Sequence, residues 1–105
     1  MYFFIIQATA KPETQQAKEA GGAYINCWIN FVSQDGAELL ARYYIELSGW
    51  VPAEKMEERW LEAKDYVAEP ELLQYYRQAE EEGTCFVYHT WPVGAGDDDS
   101  DNALN

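Results

Sequence analysis

Positively charged residues are scarce in this chain. Its 105 residues include seven Lys and Arg against 19 Asp and Glu, which gives a formal net charge of -12 at pH 7. A nucleic-acid-binding surface requires clustered Lys or Arg to neutralise phosphates, and here the cations are scattered singly between carboxylates. The charge therefore argues against nucleic-acid binding, whereas it suits a basic protein partner or simple solubility.

Histidine and cysteine, which build most metal and nucleophilic sites, are also rare. The chain has one histidine, His89, and two cysteines, Cys27 and Cys85, which lack CxxC spacing. These residues cannot form a conventional four-ligand zinc site without carboxylates, so we expect no metal site and no cofactor. Both cysteines lie in apolar, strand-like segments, where a thiol usually behaves as a small buried hydrophobe.

Long apolar runs and familiar catalytic motifs are missing as well. No segment approaches the roughly 20 apolar residues that span a bilayer, and the apolar start of the chain is shorter than the roughly 7–15 residues of a secretory signal core. No phosphate loop, dinucleotide-binding motif, nucleophile elbow or H-E-x-x-H pattern occurs. The sequence therefore predicts a cytoplasmic protein that does not bind membranes, and it contains no positive evidence for an enzyme.

The amount of apolar side chain predicts one globular domain. Apolar residues make up 48% and aromatic residues 15% of the chain, which is more than a disordered chain carries. We expect this single domain to cover residues 1–93. Residues 94–105 show no periodicity and are rich in Asp, so we expect an acidic, disordered tail there.

Hydrophobic periodicity predicts several strands. Period-two alternation indicates strands over residues 2–9, 23–32 and 84–91. Residues 50–66 contain strong helix formers, yet they also fit the alternation of a strand. Because they follow a helix-terminating glycine, we favour a bent edge strand for this region.

Two main helices are predicted between these strands. The first is expected to begin at a capping box formed by Asp35 and Glu38 and to end at Gly49. Its apolar stripe consists of Leu40, Tyr44 and Leu47, with Ala37 and Ala41 beside them. The second is expected to begin at Pro70 and to end at Gly83, because proline suits a first helical turn and glycine a C-terminus.

This order of elements predicts an α+β fold. We expect a two-layer sandwich in which a mainly antiparallel sheet carries both main helices on one face. A ferredoxin-like arrangement is available if residues 50–66 supply two strands. The other face of the sheet is then left open.

The second predicted strand gives that open face an unusual composition. The residues that share the face are Tyr24, Asn26, Trp28 and Asn30. Two large aromatics alternating with two amides form neither a dry core nor an ordinary solvated surface, so we expect something to cover them. Such a face is typical of a subunit interface or of the floor of a ligand cleft.

The first functional hypothesis is a small acidic binding or regulatory module that acts through this open face without catalysis. It would form a homodimer or bind a basic protein partner. The ligand or interface residues expected are Tyr24, Asn26, Trp28, Asn30, Tyr88 and Trp91.

The alternative hypothesis is a small-molecule-binding protein or small enzyme with a cleft around His89 and Trp28. His89 is the candidate catalytic acid or base, because it is the sole imidazole. Cys27 reaches His89 only if their strands pair, whereas Cys85 stands about 13 Å from His89 along one strand.

Overall fold

The computed structural model describes residues 1–93 and shows one antiparallel sheet with helices packed against it. The strands are β1 (Tyr2–Ala10), β2 (Gly22–Ile29), β3 (Trp50–Trp60) and β4 (Thr84–Trp91), in the spatial order β3-β1-β2-β4. The helices are α1 (Gln15–Glu19), α2 (Gln34–Leu47) and α3 (Pro70–Glu82), with a 3₁₀ helix at Ala63–Tyr66. The predicted α+β class and the two main helices are confirmed. The predicted tail over 94–105 lies outside the described residues.

Alternation along the two central strands divides the core into two apolar layers. In β1, Phe4 and Ile6 point to one face of the sheet and Phe3 to the other. In β2, Ile25 and Cys27 lie on the first face, while Trp28 lies on the second. Because both faces of β1 and β2 carry large apolar side chains, both faces need a cover.

The helices provide that cover from opposite sides, which differs from the predicted placement of both on one face. Ala41 and Ile45 of α2 pack with the layer that contains Phe4. Tyr76 and Ala79 of α3 pack with the layer that contains Trp28. The sheet is therefore the middle of three layers rather than one half of a two-layer sandwich.

Residues 50–66 contribute one strand, as favoured from the sequence, followed by the 3₁₀ helix. Strand β3 pairs with β1 with register shifts on both sides of Ile6, so it is bent as expected. The connection from β2 through α2 to β3 passes over β1 and forms a split β-α-β unit of the ferredoxin-like kind. The second strand that a full ferredoxin-like arrangement requires from this region is not formed.

Helix α2 presents a different face to the sheet from the one its largest apolar residues predict. Ala37, Ala41 and Ile45 are fully buried, whereas Tyr44 is 39% and Leu47 66% exposed. Small side chains on the inner face allow the helix axis to approach the sheet closely. Of the predicted stripe, Ala37 and Ala41 are buried and Leu40 packs against the core, whereas Tyr44 and Leu47 lie on the exposed flank of the helix.

The start of α2 also differs from the predicted capping box. Ser33 caps the helix, because its Oγ accepts a hydrogen bond from the backbone N–H of Gly36 at 3.2 Å. Asp35 lies within the first turn. Glu38 instead accepts hydrogen bonds from Arg42 at 3.0 Å and from Lys55 of β3 at 2.9 Å. These contacts hold the pKa of the Glu38 carboxyl below its usual value, the Lys55 hydrogen bond having the largest effect.

Candidate functional site

The predicted aromatic and amide face is divided by α3 into a covered end and an open end. Trp28 lies at the covered end and is 1% exposed. Asn26 is half-buried at the boundary, and Tyr24 is exposed at the open end. Asn30 lies just beyond β2, where its backbone N–H donates to the carbonyl of Gly83 at 2.9 Å. The face is thus not open as a whole.

Trp28 is a core residue with a satisfied polar group. Its ring lies 5.1 Å from that of Phe3 and 5.1 Å from that of Tyr75, measured between centroids. Its Nε1–H donates to Tyr66 Oη at 3.2 Å. Because this hydrogen bond joins β2 to the 3₁₀ helix, Trp28 holds the covering layer in place rather than offering its ring to a partner.

The open end brings three of the predicted residues together. Tyr24 pairs with His89 across the β2–β4 ladder, and the Tyr24 ring centroid lies 5.0 Å from that of Trp91. The Trp91 ring packs over Gly22, where an added Cβ would lie 2.4 Å from a ring carbon. The absence of a side chain at Gly22 therefore allows the indole to lie flat against the sheet.

Cys27 does not face His89. Cys27 pairs with Phe86 and lies in the α2 layer, on the opposite face of the sheet from Tyr24 and His89. Burial raises the pKa of both cysteine thiols, with Cys27 the more strongly affected. Both cysteines are free and buried. The strands of Cys27 and His89 do pair, but the two side chains lie on opposite faces of the sheet, so they cannot form a catalytic dyad.

Tyr88 belongs to the other side of β4, away from Tyr24 and His89. Its ring centroid lies 5.9 Å from that of Trp50, and burial raises the pKa of its hydroxyl. Phe86 lies on the same side, with its ring 6.2 Å from that of Tyr44 on α2. Aromatic side chains of β4 are therefore in contact with Tyr44 on the exposed flank of α2.

The exposed side of α2 carries several large apolar side chains. Leu39 is 71% exposed, Tyr43 54% and Leu47 66%, and they recur at i, i+4 and i+8. Together with Tyr44, whose ring contacts that of Phe86 in β4, they form an exposed apolar strip along α2. We use the name β4 surface for strand β4 together with Tyr44 and Leu47 on one side and Tyr24 on the other.

The two edges of the sheet are protected to very different degrees. Edge strand β3 contains Pro52, five charged residues and two register shifts against β1, all devices that prevent an edge from pairing with another chain. Edge strand β4, with the sequence TCFVYHTW, has no charged residue and no proline. It pairs with β2 in unbroken register over eight residue pairs. One edge is therefore blocked, whereas no strand within residues 1–93 pairs with the outer side of β4.

A cleft of about 610 Å³ opens on the α3 side of the sheet, against the β1–β3 half. Asn26 and Trp28 are among its lining residues. His89, Tyr88 and Trp91 do not line it. Of the two residues around which a cleft was predicted, Trp28 therefore lines this cleft, whereas His89 lies elsewhere, at the open end of the sheet face.

Other site classes receive no structural support within residues 1–93. This region contains no group of three or more His, Cys, Asp or Glu side chains arranged to hold a metal ion. Among its helices, none is long and apolar enough to cross a membrane. Comparisons of the chain with protein-family models, curated proteins and solved structures find no match. Function must accordingly be argued from the residues themselves.

Proposed function

We propose that this protein is a non-catalytic interaction module that self-associates through the β4 surface. The observation that carries the proposal is the contrast between the two sheet edges: β3 is blocked by charge, proline and bulges, whereas β4 is regular and uncharged. Its two free cysteines suit a reducing compartment, and we place its action in the cytoplasm.

An unprotected edge strand is a liability unless a partner covers it. Its outward N–H and C=O groups form a template for another strand, and natural proteins usually block such edges. In β4, aromatic and β-branched side chains at Phe86, Val87 and Tyr88 would gain cross-strand contacts in a larger sheet. The unblocked β4 edge therefore supports an interaction role more directly than any single side chain does.

A second copy of the chain is the occupant that fits best. A strand pairs antiparallel with itself about a two-fold axis, so β4 needs no complementary sequence from another protein. The apolar strip of α2 would then meet the same strip or the β4 side chains of the partner. The strand itself carries no carboxylate, so two chains of charge -12 avoid direct repulsion at the line of contact.

The ionic strength of the solution separates this occupant from a basic protein partner. Two acidic chains repel each other at a distance, and salt screens that repulsion, so self-association should strengthen as salt increases. Capture of a basic partner relies on attraction and should weaken under the same change.

Sedimentation equilibrium with charge-introducing variants tests the proposal. Thr90 is exposed on β4, and Thr90→Lys would place an ammonium at the pairing edge. We expect its dimer dissociation constant to rise at least about tenfold, which corresponds to about 1.4 kcal/mol. Lysine reduces the net negative charge of the chain, so weaker association would not result from greater overall repulsion.

The matched control is Val51→Lys on the opposite edge strand. Val51 is 43% exposed on β3, so this variant introduces the same charge at an edge that we expect to remain unpaired. Its dissociation constant should match that of the wild type. A monomeric wild type at high protein concentration and high salt, or equal effects of the two variants, would contradict self-association through β4.

A further inference from the structure

The cleft on the β1–β3 half of the sheet has walls of opposite charge. Its apolar floor includes Phe3 and Ile5, and Arg59 of β3 forms part of one wall. Asp65 and Glu69, on the 3₁₀ helix and at the start of α3, belong to the facing wall. The cleft does not involve β4, so ligand binding in it is independent of self-association.

The guanidinium of Arg59 is held in place by two contacts and keeps some of its hydrogen-bonding capacity. It lies over the Phe3 ring at 5.6 Å from the centroid, and it forms an ion pair with Glu57, with Nε 2.6 Å from Oε2. Within the described residues, Glu57 is the one acidic side chain within ion-pair distance of Arg59. A planar guanidinium has five N–H donors, so one ion pair at Nε does not use all of them, and the group can bind a further carboxylate.

The opposite wall offers carboxylate oxygens. Glu69 precedes α3 as its N-cap residue and makes no side-chain capping hydrogen bond. Asp65 Oδ2 accepts from the backbone N–H of Glu62 at 2.8 Å, and a carboxylate with one such bond has further acceptor capacity. Two carboxylates on one wall favour a bound ammonium group.

The hydroxyl of Tyr66 is close enough to the charged groups of both walls to be affected by their electrostatic fields. It accepts from Trp28 Nε1–H and retains its own proton for donation. Burial raises the pKa of this hydroxyl, while the nearby Arg59 lowers it and Glu69 and Asp65 raise it. Arg59, Glu69 and Asp65 therefore all act on the Tyr66 hydroxyl, which lines the same cleft.

We propose that this cleft binds a small zwitterion with an apolar substituent, the chemistry of a free apolar amino acid or of a short peptide. The carboxylate would pair with Arg59 and the ammonium with Glu69 and Asp65, while the apolar group would lie on the half-buried Ile5 and Leu72. The cleft volume of about 610 Å³ falls in the range of small-molecule sites, about 300–1,000 Å³.

The Trp28 indole N–H provides a site-specific reporter, because it hydrogen-bonds Tyr66 beside the cleft. We expect its NMR resonance to shift during titration with L-phenylalanine or with the dipeptide leucyl-phenylalanine, and the tighter of the two identifies the source. 3-Phenylpropionate lacks the ammonium and phenethylamine lacks the carboxylate. Each should bind at least about tenfold more weakly than the better zwitterion, because each loses one charge-assisted interaction.

Three variants complete the experiment. Arg59→Gln and Glu69→Gln should each weaken zwitterion binding about tenfold. Arg77→Gln is the control, because Arg77 is an exposed arginine that pairs with Glu80 outside the cleft, and it should bind like the wild type. The inference is overturned if neither zwitterion shifts the Trp28 resonance, if a single-charge analogue binds as tightly as both zwitterions, or if the Arg59 and Glu69 variants bind unchanged.

Discussion

Replacing Trp28 with alanine is expected to lower the free energy of unfolding by about 3–5 kcal/mol, the range for truncating a fully buried large aromatic. Trp28 is 1% exposed and contacts the rings of Phe3 and Tyr75. The substitution also removes the indole N–H donor from Tyr66 Oη. Urea denaturation at a fixed protein concentration measures the loss, since concentration would otherwise change the apparent stability of a self-associating protein.

Trp60→Ala is the matched control for that substitution. Trp60 is 48% exposed, and its ring meets that of Tyr2 with centroids 5.0 Å apart. Its loss should cost no more than about 1.5 kcal/mol, the upper range for one aromatic pair. If the two alanine variants were equally stable, the covering of Trp28 by α3 would be wrong, and the aromatic and amide face would be open as the sequence suggested.

A second large effect is expected within α2, where the structure and the sequence pattern disagree. Ile45 is fully buried and Leu47 is 66% exposed. Ile45→Ala should cost about 2–5 kcal/mol of unfolding free energy, whereas Leu47→Ala should change it by less than about 0.5 kcal/mol. Thermal or urea denaturation of both variants measures the difference.

Leu47→Ala carries a second expectation, because Leu47 belongs to the β4 surface. This variant should keep its stability as a folded chain while its dimer dissociation constant increases. The reverse pattern, a stable Ile45→Ala and an unfolded Leu47→Ala, would mean that α2 packs on the sheet through the stripe that its larger residues predict.

The two arcs of α2 explain why its buried face was predictable only in part. Leu40, Tyr44 and Leu47 follow helical spacing, but Ala37, Ala41 and Ile45 do so as well. Hydrophobicity favours the first set, whereas close approach of helix to sheet favours the second. A helix with two apolar arcs is itself a signal that a second surface must be covered, and this signal was present in the sequence.

The placement of α3 was unpredictable for a different reason. Crossovers between parallel strands have a fixed hand, which constrains the β2–α2–β3 connection. Strands β3 and β4 are antiparallel to each other, because β3 runs parallel to β2 and β4 opposite to it. The rule therefore does not decide which face α3 covers, and the burial of Trp28 depends on that choice.

The strands themselves were largely predictable, and the functional residues only in part. Alternation located the four strands, and Gly49 and Gly83 end their helices with positive φ as expected. Arg59, Tyr66 and Glu69 were missed, because residues from separate elements meet in the cleft only after α3 crosses the sheet. The uncharged sequence of β4 was visible from the start, although its position at an edge was not.

Amide hydrogen exchange on the two edge strands tests the central claim most directly. We compare the β4 amides that do not donate to β2 with the β3 amides that do not donate to β1, at low and high protein concentration. Self-association through β4 predicts that the outward β4 amides become protected as concentration rises, while the outward β3 amides exchange rapidly throughout. Rapid exchange at both edges at every concentration, or protection that develops on β3 instead, would contradict it.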